Sequence, residues 1–138
     1  MFSKLMRKDL TVFYFVVFFR NLTKVDLSYN AINNLSGLTK LHGPGFSLQT
    51  LYLQGNQLSS LDHVISSLIG CKMLKELALS QYGEANPVCE IPGYRSSILR
   101  ALKTLEVLDG LDQSGNQAAV RDNLWSIPGT ISDNLDLE

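Results

Sequence analysis

Few side chains in this sequence are of the types that usually carry metal binding or nucleophilic catalysis. The chain has two histidines, His42 and His63, and two cysteines, Cys71 and Cys89. Asp62, His63 and Cys71 do not have the spacing of a zinc site, so we interpret both histidines as surface residues. Cys89 lies between two prolines, with no neighbouring basic residue to lower its thiol pKa. This setting favours a packed structural cysteine over a nucleophile.

Sequence-wide features also argue against catalysis. The 138 residues suit one domain, and a hydrophobic content of 45% is enough to bury a core. The sequence contains no nucleophile elbow, no zinc-protease helix motif and no P-loop. We therefore predict a non-enzymatic protein with no catalytic, cofactor-binding or metal residues. A formal net charge of −1 argues against a nucleic-acid binder that works by phosphate neutralisation.

Apolar spacing divides the chain into repeats. Residues 48–61 read LQTLYLQGNQLSSL and contain the spacing L-x-x-L-x-L-x-x-N-x-L, in which a short strand leads through a turn to a helical return. The same spacing occurs at 22–32, where Asn30 takes the position that Asn56 has in the later copy. An eroded third copy follows in phase, with Tyr82 at the asparagine position. The pattern predicts an α/β leucine-rich-repeat solenoid, with a short parallel sheet on its concave face and helical returns on its convex face.

Strand residues should alternate between the core and the concave face. Leu51 and Leu53 should point inward, and Asn56 should bond backbone groups of neighbouring coils, which Tyr82 cannot do. Curved solenoids commonly bind partners on the concave face, where Tyr52 is the best anchor candidate. Each position taken singly is also compatible with an ordinary solvated strand residue. The predicted partner-binding residues are Lys24, Asp26, Ser28, Thr50, Tyr52, Gln54, Glu76, Ser80, Thr104 and Glu106.

Helical returns and a terminal cap complete the predicted repeats. The leucine spacing over 35–41 predicts a tight return, and that over 61–68 a longer helix with Ser60 as its N-cap and Gly70 as its stop. From residue 82 the period breaks. We predict a helix from Tyr94 and then a fourth strand with Leu105 and Val107 in strand spacing. Together these should shield the apolar end of the last coil.

Three segments are predicted along the chain. Residues 1–20 form an apolar N-terminal segment, for which a solenoid cap, a targeting segment and a misassigned start stay open. Its apolar run at 10–19 lacks a cleavage site and is too short to cross a bilayer. Residues 21–110 hold the repeats and the C-terminal cap, and residues 111–138 a polar tail. A short amphipathic helix in that tail would use Ala118, Val120, Leu124 and Trp125.

The sequence NPVCEIPGYR at 86–95, followed by I-L-x-x-L-x-x-L-x-x-L-D, resembles a known cap. It is the C-terminal cap of intracellular leucine-rich-repeat proteins of the phosphatase-regulator-like class. Residues 21–110 look most like the N-terminal repeat domain of the leucine-rich-repeat and coiled-coil centrosomal family, with matching stretches at 28–38 and 41–43. The resemblance implies a protein–protein interaction module in a cytoplasmic centrosomal, centriolar or ciliary scaffold. No heptad pattern follows the repeats, so a function of that family's coiled coil is not implied.

Two alternatives stay open. Other members of the capped class imply a phosphatase-regulator or ribonucleoprotein-adaptor role. A functional targeting segment at 1–20 would instead make a secreted or membrane-anchored recognition protein, and the sequons at Asn21 and Asn34 would then matter. On each interpretation the partners are proteins, with no direct nucleic-acid contact and no small-molecule substrate. Membrane association is expected only on the last.

Overall fold

The fold is seen in a computed structural model, which describes residues 2–4, 22–43 and 46–118. One sheet of six strands, in the spatial order β1-β2-β3-β4-β7-β8, runs along one side, and a small second sheet pairs β5 with β6. The strands are β1 Phe2–Lys4, β2 Lys24–Asp26, β3 Thr50–Tyr52, β4 Glu76–Ala78, β5 Ser80–Gln81, β6 Glu84–Ala85, β7 Val107–Leu108 and β8 Leu111–Asp112.

The central strands pair in parallel at the predicted period. Val25 lies beside Leu51, and Leu51 beside Leu77, so β2, β3 and β4 follow one another at a constant interval along the chain. All three side chains are buried, as are Leu53 and its equivalents in the neighbouring coils. One face of each strand is therefore buried in the core, which confirms the predicted inward direction of Leu51 and Leu53.

The first strand lies in a region that matches no repeat in the sequence. Phe2–Lys4 pairs in parallel with β2, and Ser3 lies beside Val25. The interval between Ser3 and Val25 is shorter than that between Val25 and Leu51, which is why the sequence pattern misses this strand. The apolar run at 10–19 lies outside the described residues, so the three interpretations of residues 1–20 stay predictions.

Helical segments return the chain from one strand to the next. The first return contains a 3₁₀ helix, η1, at Ser36–Leu41, and the second contains an α-helix, α1, at Leu61–Leu68. The Ser60 hydroxyl accepts a hydrogen bond from the backbone N–H of His63 at 3.2 Å, which confirms the predicted N-cap. No helix among the described residues is long and apolar enough to cross a membrane.

The side chain of Asn56 forms hydrogen bonds that join two neighbouring coils. Its side-chain oxygen accepts from the backbone N–H of Ile32 at 3.0 Å, and its amide nitrogen donates to the carbonyls of Leu27 and Leu53 at 2.9 Å each. The N–H of Ile32 is thereby satisfied, and the carbonyls of Leu27 and Leu53 each gain a donor. The expected bonding of Asn56 to adjacent coils is confirmed.

Asn86 makes the same bonds one coil further on. It accepts from the N–H of Leu58 at 3.0 Å and donates to the carbonyls of Leu53 and Leu79 at 2.8 and 2.9 Å. The prediction that the asparagine ladder stops at Tyr82 is therefore wrong. The antiparallel hairpin of β5 and β6, with Tyr82 and Gly83 at its turn, is inserted between Leu79 and the asparagine and moves it further along the chain.

After β4 and the hairpin of β5 and β6, the chain departs from the regular repeat. A 3₁₀ helix, η2, at Pro87–Glu90 leads to α2 at Tyr94–Ala101, which buries Ile98 against the last coil. Strands β7 and β8 then form an antiparallel hairpin. Described structure continues past residue 110 to Ala118, whose N–H donates to the Gly110 carbonyl at 3.0 Å. The rest of the predicted tail helix lies outside the described residues.

Candidate functional site

The candidate site is the sheet face that the sequence predicts to be concave, which we call the concave face, and its first column is less accessible than expected. Lys24, Asp26 and Ser28 are all buried. One oxygen of the Asp26 carboxylate accepts from both the hydroxyl and the backbone N–H of Ser28, at 2.5 and 2.9 Å. These side chains therefore serve the end of β2 structurally, and a partner could reach them only across their neighbours.

The accessible part of the concave face lies between β3 and β4. Tyr52, Glu76 and Ser80 are half-buried, whereas Thr50 is buried. The phenol of Tyr52 points towards Glu76 Oε2 at 3.5 Å, a distance too long for a strong hydrogen bond. Ala78 is paired with Tyr52 across the sheet and adds no bulk beside the ring. We refer to Tyr52, Glu76 and Ser80 as the central patch.

Gln54, which follows β3, is a buried residue with a polar atom that is unpaired in the described part of the chain. Only 3% of the residue is exposed, and its side-chain oxygen has no hydrogen-bond partner among the described residues. The side-chain oxygen of Gln81 is in the same condition. Buried polar atoms without partners are uncommon and lower stability, so this end of the concave face is incompletely satisfied within the described chain.

The fourth strand differs from the prediction. Val107 pairs with Glu76, and Leu108 with Leu77, so it is Val107 that stands in the concave column. The interval from Leu77 to Leu108 is longer than the interval from Leu51 to Leu77, and the excess is an odd number. Side chains alternate between the two faces of a strand. A spacing that is longer than the repeat period by an odd number of residues therefore puts each side chain on the opposite face from the one that the period predicts.

Thr104 and Glu106 therefore do not belong to the concave face, and their predicted position there is wrong. The Thr104 hydroxyl donates to the Leu74 carbonyl at 2.7 Å, ahead of the strand. The Glu106 carboxylate forms an ion pair with Lys75 Nζ at 3.4 Å. Both contacts lie on the edge where the returns enter the sheet.

Asp109 is a site residue that sequence reasoning missed. Its left-handed backbone, with φ of 56°, turns the carboxylate back onto β4, where one oxygen accepts from the N–H groups of Leu79 and Ser80 at 2.7 and 2.9 Å. The other oxygen accepts from the Tyr94 hydroxyl. Burial and the Asp109 carboxylate raise the pKa of Tyr94 far above its usual value, so the phenol stays protonated. The Asp-Gly pair in the sequence was a usable signal, since it marks a turn.

Both histidines connect neighbouring coils. His63 Nε2 accepts from the backbone N–H of Leu35 at 2.8 Å, and His42 Nε2 lies 2.9 Å from the carbonyl oxygen of Ser67. The rings are half-buried, so the histidines are partly exposed surface residues that also bond to a neighbouring coil. Within the described ranges, no group of three or more histidine, cysteine or acidic side chains could hold a metal ion.

The cysteines are packed thiols. Cys71 is buried, and burial raises its pKa from 9.0 to about 11. Cys89 is half-buried, burial raises its pKa as well, and its sulfur lies 3.5 Å from the Leu79 carbonyl oxygen. Neither thiol is activated as a nucleophile would be. The packed interpretation of Cys89 is confirmed.

Relatives of the chain have been found by sequence. No family model matches it. Leucine-rich repeat and coiled-coil domain-containing protein 1 of Xenopus laevis is 46% identical over 80 residues, which are 58% of this chain and 8% of the relative. The proteins of the same name from Mus musculus and Homo sapiens are 47% identical over 69 residues and 43% over 72, covering 50% and 52% of this chain and 7% of each relative. These matches confirm the resemblance to the leucine-rich-repeat and coiled-coil family. The chain spans less than a tenth of the length of these relatives.

Solved structures share the fold. The Mex67 leucine-rich-repeat domain from Chaetomium thermophilum superposes with a TM-score of 0.64 at 22% identity, covering 80% of this chain and 82% of that one. A structure of the Chaetomium Mex67:Mtr2 subunits gives the same TM-score and identity, with 80% of each chain covered. The α/β leucine-rich-repeat fold is thus confirmed by its neighbours.

Proposed function

We propose that this chain is a non-catalytic protein-interaction module that binds partner proteins on its concave face. Its setting is a centrosomal, centriolar or ciliary scaffold of the cytoplasm. The observation that carries the proposal is the central patch, where Tyr52, Glu76 and Ser80 stay partly accessible among fully buried neighbours. Relatives named for the same repeats support an interaction role.

The central patch suits binding because the packed core holds its backbone rigidly in place. Leu51 and Leu53 are sealed in the core on either side of Tyr52, so its backbone is fixed before a partner arrives. Such preorganisation reduces the entropic cost of association. A tyrosine supplies apolar area and a hydroxyl together, which is why this residue type recurs in binding hot spots.

The charge of the central patch indicates which kind of partner segment it binds. Glu76 adds a carboxylate to the patch, and the uncharged Gln54 and Ser80 lie near it on the strand ends. A partner segment with a basic or N–H-rich contact complements this arrangement, because unlike charges steer encounter and fix orientation. Thr104 and Glu106 are left out of the proposed surface, and Lys24, Asp26 and Ser28 are buried in and just after the neighbouring strand β2.

The centrosomal setting is supported by the resemblance of residues 21–110 to the repeat domain of the leucine-rich-repeat and coiled-coil centrosomal family. Proximity labelling with the intact chain in cells, read together with its position by microscopy, tests this setting. We expect centrosomal or ciliary proteins among the labelled neighbours. A diffuse or secreted chain would contradict the setting. Recovery of a phosphatase subunit or an RNA-binding protein in their place would favour the adaptor role.

The same experiment tests the surface. Tyr52→Ala combined with Glu76→Ala should abolish the labelling of centrosomal or ciliary proteins, although the double variant still folds. Tyr82→Ala combined with Glu84→Ala is the matched control, because both residues are exposed on the hairpin of β5 and β6. Equal labelling by the two double variants would mean that partners bind somewhere other than the central patch.

A further inference from the structure

A groove opens at the edge of the sheet where the returns lead into the strands. This edge is opposite the one at which the strands end. One wall is formed by Leu68, at the end of α1, with Ile69, Cys71, Lys72 and Leu74, and the other by Ala101, at the end of α2, with Leu102, Lys103 and Thr104. Its volume is about 250 Å³, and its floor is apolar because Leu68, Leu74 and Leu102 are buried there. We call it the return groove.

The preceding crevice of the solenoid shows why the return groove is open. Between the first return and α1, the ring of His42 bonds to the Ser67 carbonyl and lies against Gly70. Between α1 and α2 the cap supplies Ala101 at the mouth, whose methyl group is far smaller than an imidazole ring. Among the described residues, no aromatic or imidazole ring lines the return groove.

The charged residues that line the return groove are all basic. Lys72 and Lys103 are exposed on its two walls, and none of its lining residues is acidic. The nearby Glu106 carboxylate is paired with Lys75. A ligand for the return groove is therefore expected to bring carboxylates with it.

Apolar surface accompanies those charges. Ile69 and Met73, on the segment that forms the first wall, are 49% and 44% exposed, which is high for large apolar side chains. At about 250 Å³ the groove is smaller than the roughly 300–1,000 Å³ typical of small-molecule pockets. It suits one or two aliphatic side chains of a peptide better than a compact metabolite.

We propose that the return groove is a second docking site, for an acidic peptide segment of a partner protein. A leucine-like side chain enters the groove, and flanking carboxylates lie against Lys72 and Lys103. This site is separate from the central patch, so its partner is additional to one bound on the concave face.

The test is fluorescence anisotropy with the full chain and a fluorescein-labelled peptide of sequence EDLEELDE. We expect saturable binding that weakens with added salt, since exposed charges are screened. Lys72→Gln with Lys103→Gln should weaken it about tenfold or more. The control Gln57→Glu with Ser59→Glu makes the same change in net charge at exposed positions between β3 and α1, and should leave binding within about twofold.

A second variant removes the space and keeps the charges. Ala101→Trp fills the return groove and should abolish binding, provided that its thermal melt stays cooperative. Lack of peptide binding by the native chain up to millimolar concentration would overturn the proposal, as would equal binding of a KKLKKLKK peptide or of the lysine variant. Binding that appears only after Asp133→Asn, Asp136→Asn and Glu138→Gln would also overturn it, by assigning the groove to the chain's own acidic tail.

Discussion

The imidazole ring of His42 lies against Gly70 so closely that a β-carbon at position 70 would come within 2.2 Å of His42 Nδ1. Gly70 was expected to stop α1, and the helix does end just before it, at Leu68 with Ile69 as its C-cap, although Gly70 does not have the left-handed φ of a typical helix-stop glycine. The absence of a side chain there provides space for the ring. The ring in turn holds the first return against the second through Ser67.

Gly70→Ala should destabilise the fold by about 1–3 kcal/mol, the usual cost of overpacking. Because φ at position 70 suits any residue, the loss should come from the ring and not from the backbone. His42→Ala alone loses one hydrogen bond and some packing. The double variant should be more stable than the sum of the two single losses, as measured by urea denaturation. Additive losses would mean that the ring moves aside without cost.

Asn86→Ala should cost about 1–3 kcal/mol, because it leaves the N–H of Leu58 unpaired in the core and removes one donor each from the carbonyls of Leu53 and Leu79. Asn33→Ala is the matched control, since Asn33 is exposed, and its loss should stay within about 0.5 kcal/mol. Thermal and urea unfolding measure both. A small effect at Asn86 would show that water replaces the amide.

Leu53→Ala should cost about 2–5 kcal/mol, because Leu53 is fully buried between two coils and leaves a cavity. Tyr52→Ala, one residue away, should leave a cooperative melt, since its ring is partly exposed on the concave face. Circular dichroism during heating compares the two. Equal losses would contradict the assignment of these neighbours to opposite faces.

Stability should fall as pH rises from about 9 to 11. The folded chain keeps the Cys71 proton up to a pKa of about 11, whereas the unfolded chain releases it near 9.0. This contribution is complete below pH 9, and about 2 kcal/mol of it is lost by pH 11. Cys71→Val should flatten the pH dependence of the unfolding free energy over this range. An unchanged slope would assign the loss to other groups such as Tyr94, which acts in the same direction from about pH 10 upward because the unfolded phenol has a pKa of 10.0.

The regular coils could be predicted because their cause is local and periodic. Alternating leucines on a strand, an asparagine soon after them and a constant repeat length locate β2, β3 and β4. Ser60 could be predicted as a cap for the same reason, since its hydrogen bond reaches only as far as His63, within the first turn of the helix.

The errors arise where the spacing changes or where the contact is distant. The hairpin of β5 and β6 moved Asn86 out of phase and so hid it, and the odd spacing before β7 reversed the faces of Thr104 and Glu106. The hydrogen bond from Leu35 to His63 joins two different coils, so nothing near His63 in the sequence reveals it. Burial of Lys24 and Asp26 depends likewise on neighbouring coils.

The antiparallel direction of β8 closes one edge of the sheet to a further parallel coil. Strands β1 to β4 and β7 run the same way, but β8 turns back and occupies the edge where the next coil would pair. A longer binding surface could therefore be engineered by duplicating one whole repeat between β2 and β4. Units appended after residue 118 would find no strand to continue, so variants of different length in this architecture should differ by internal insertions.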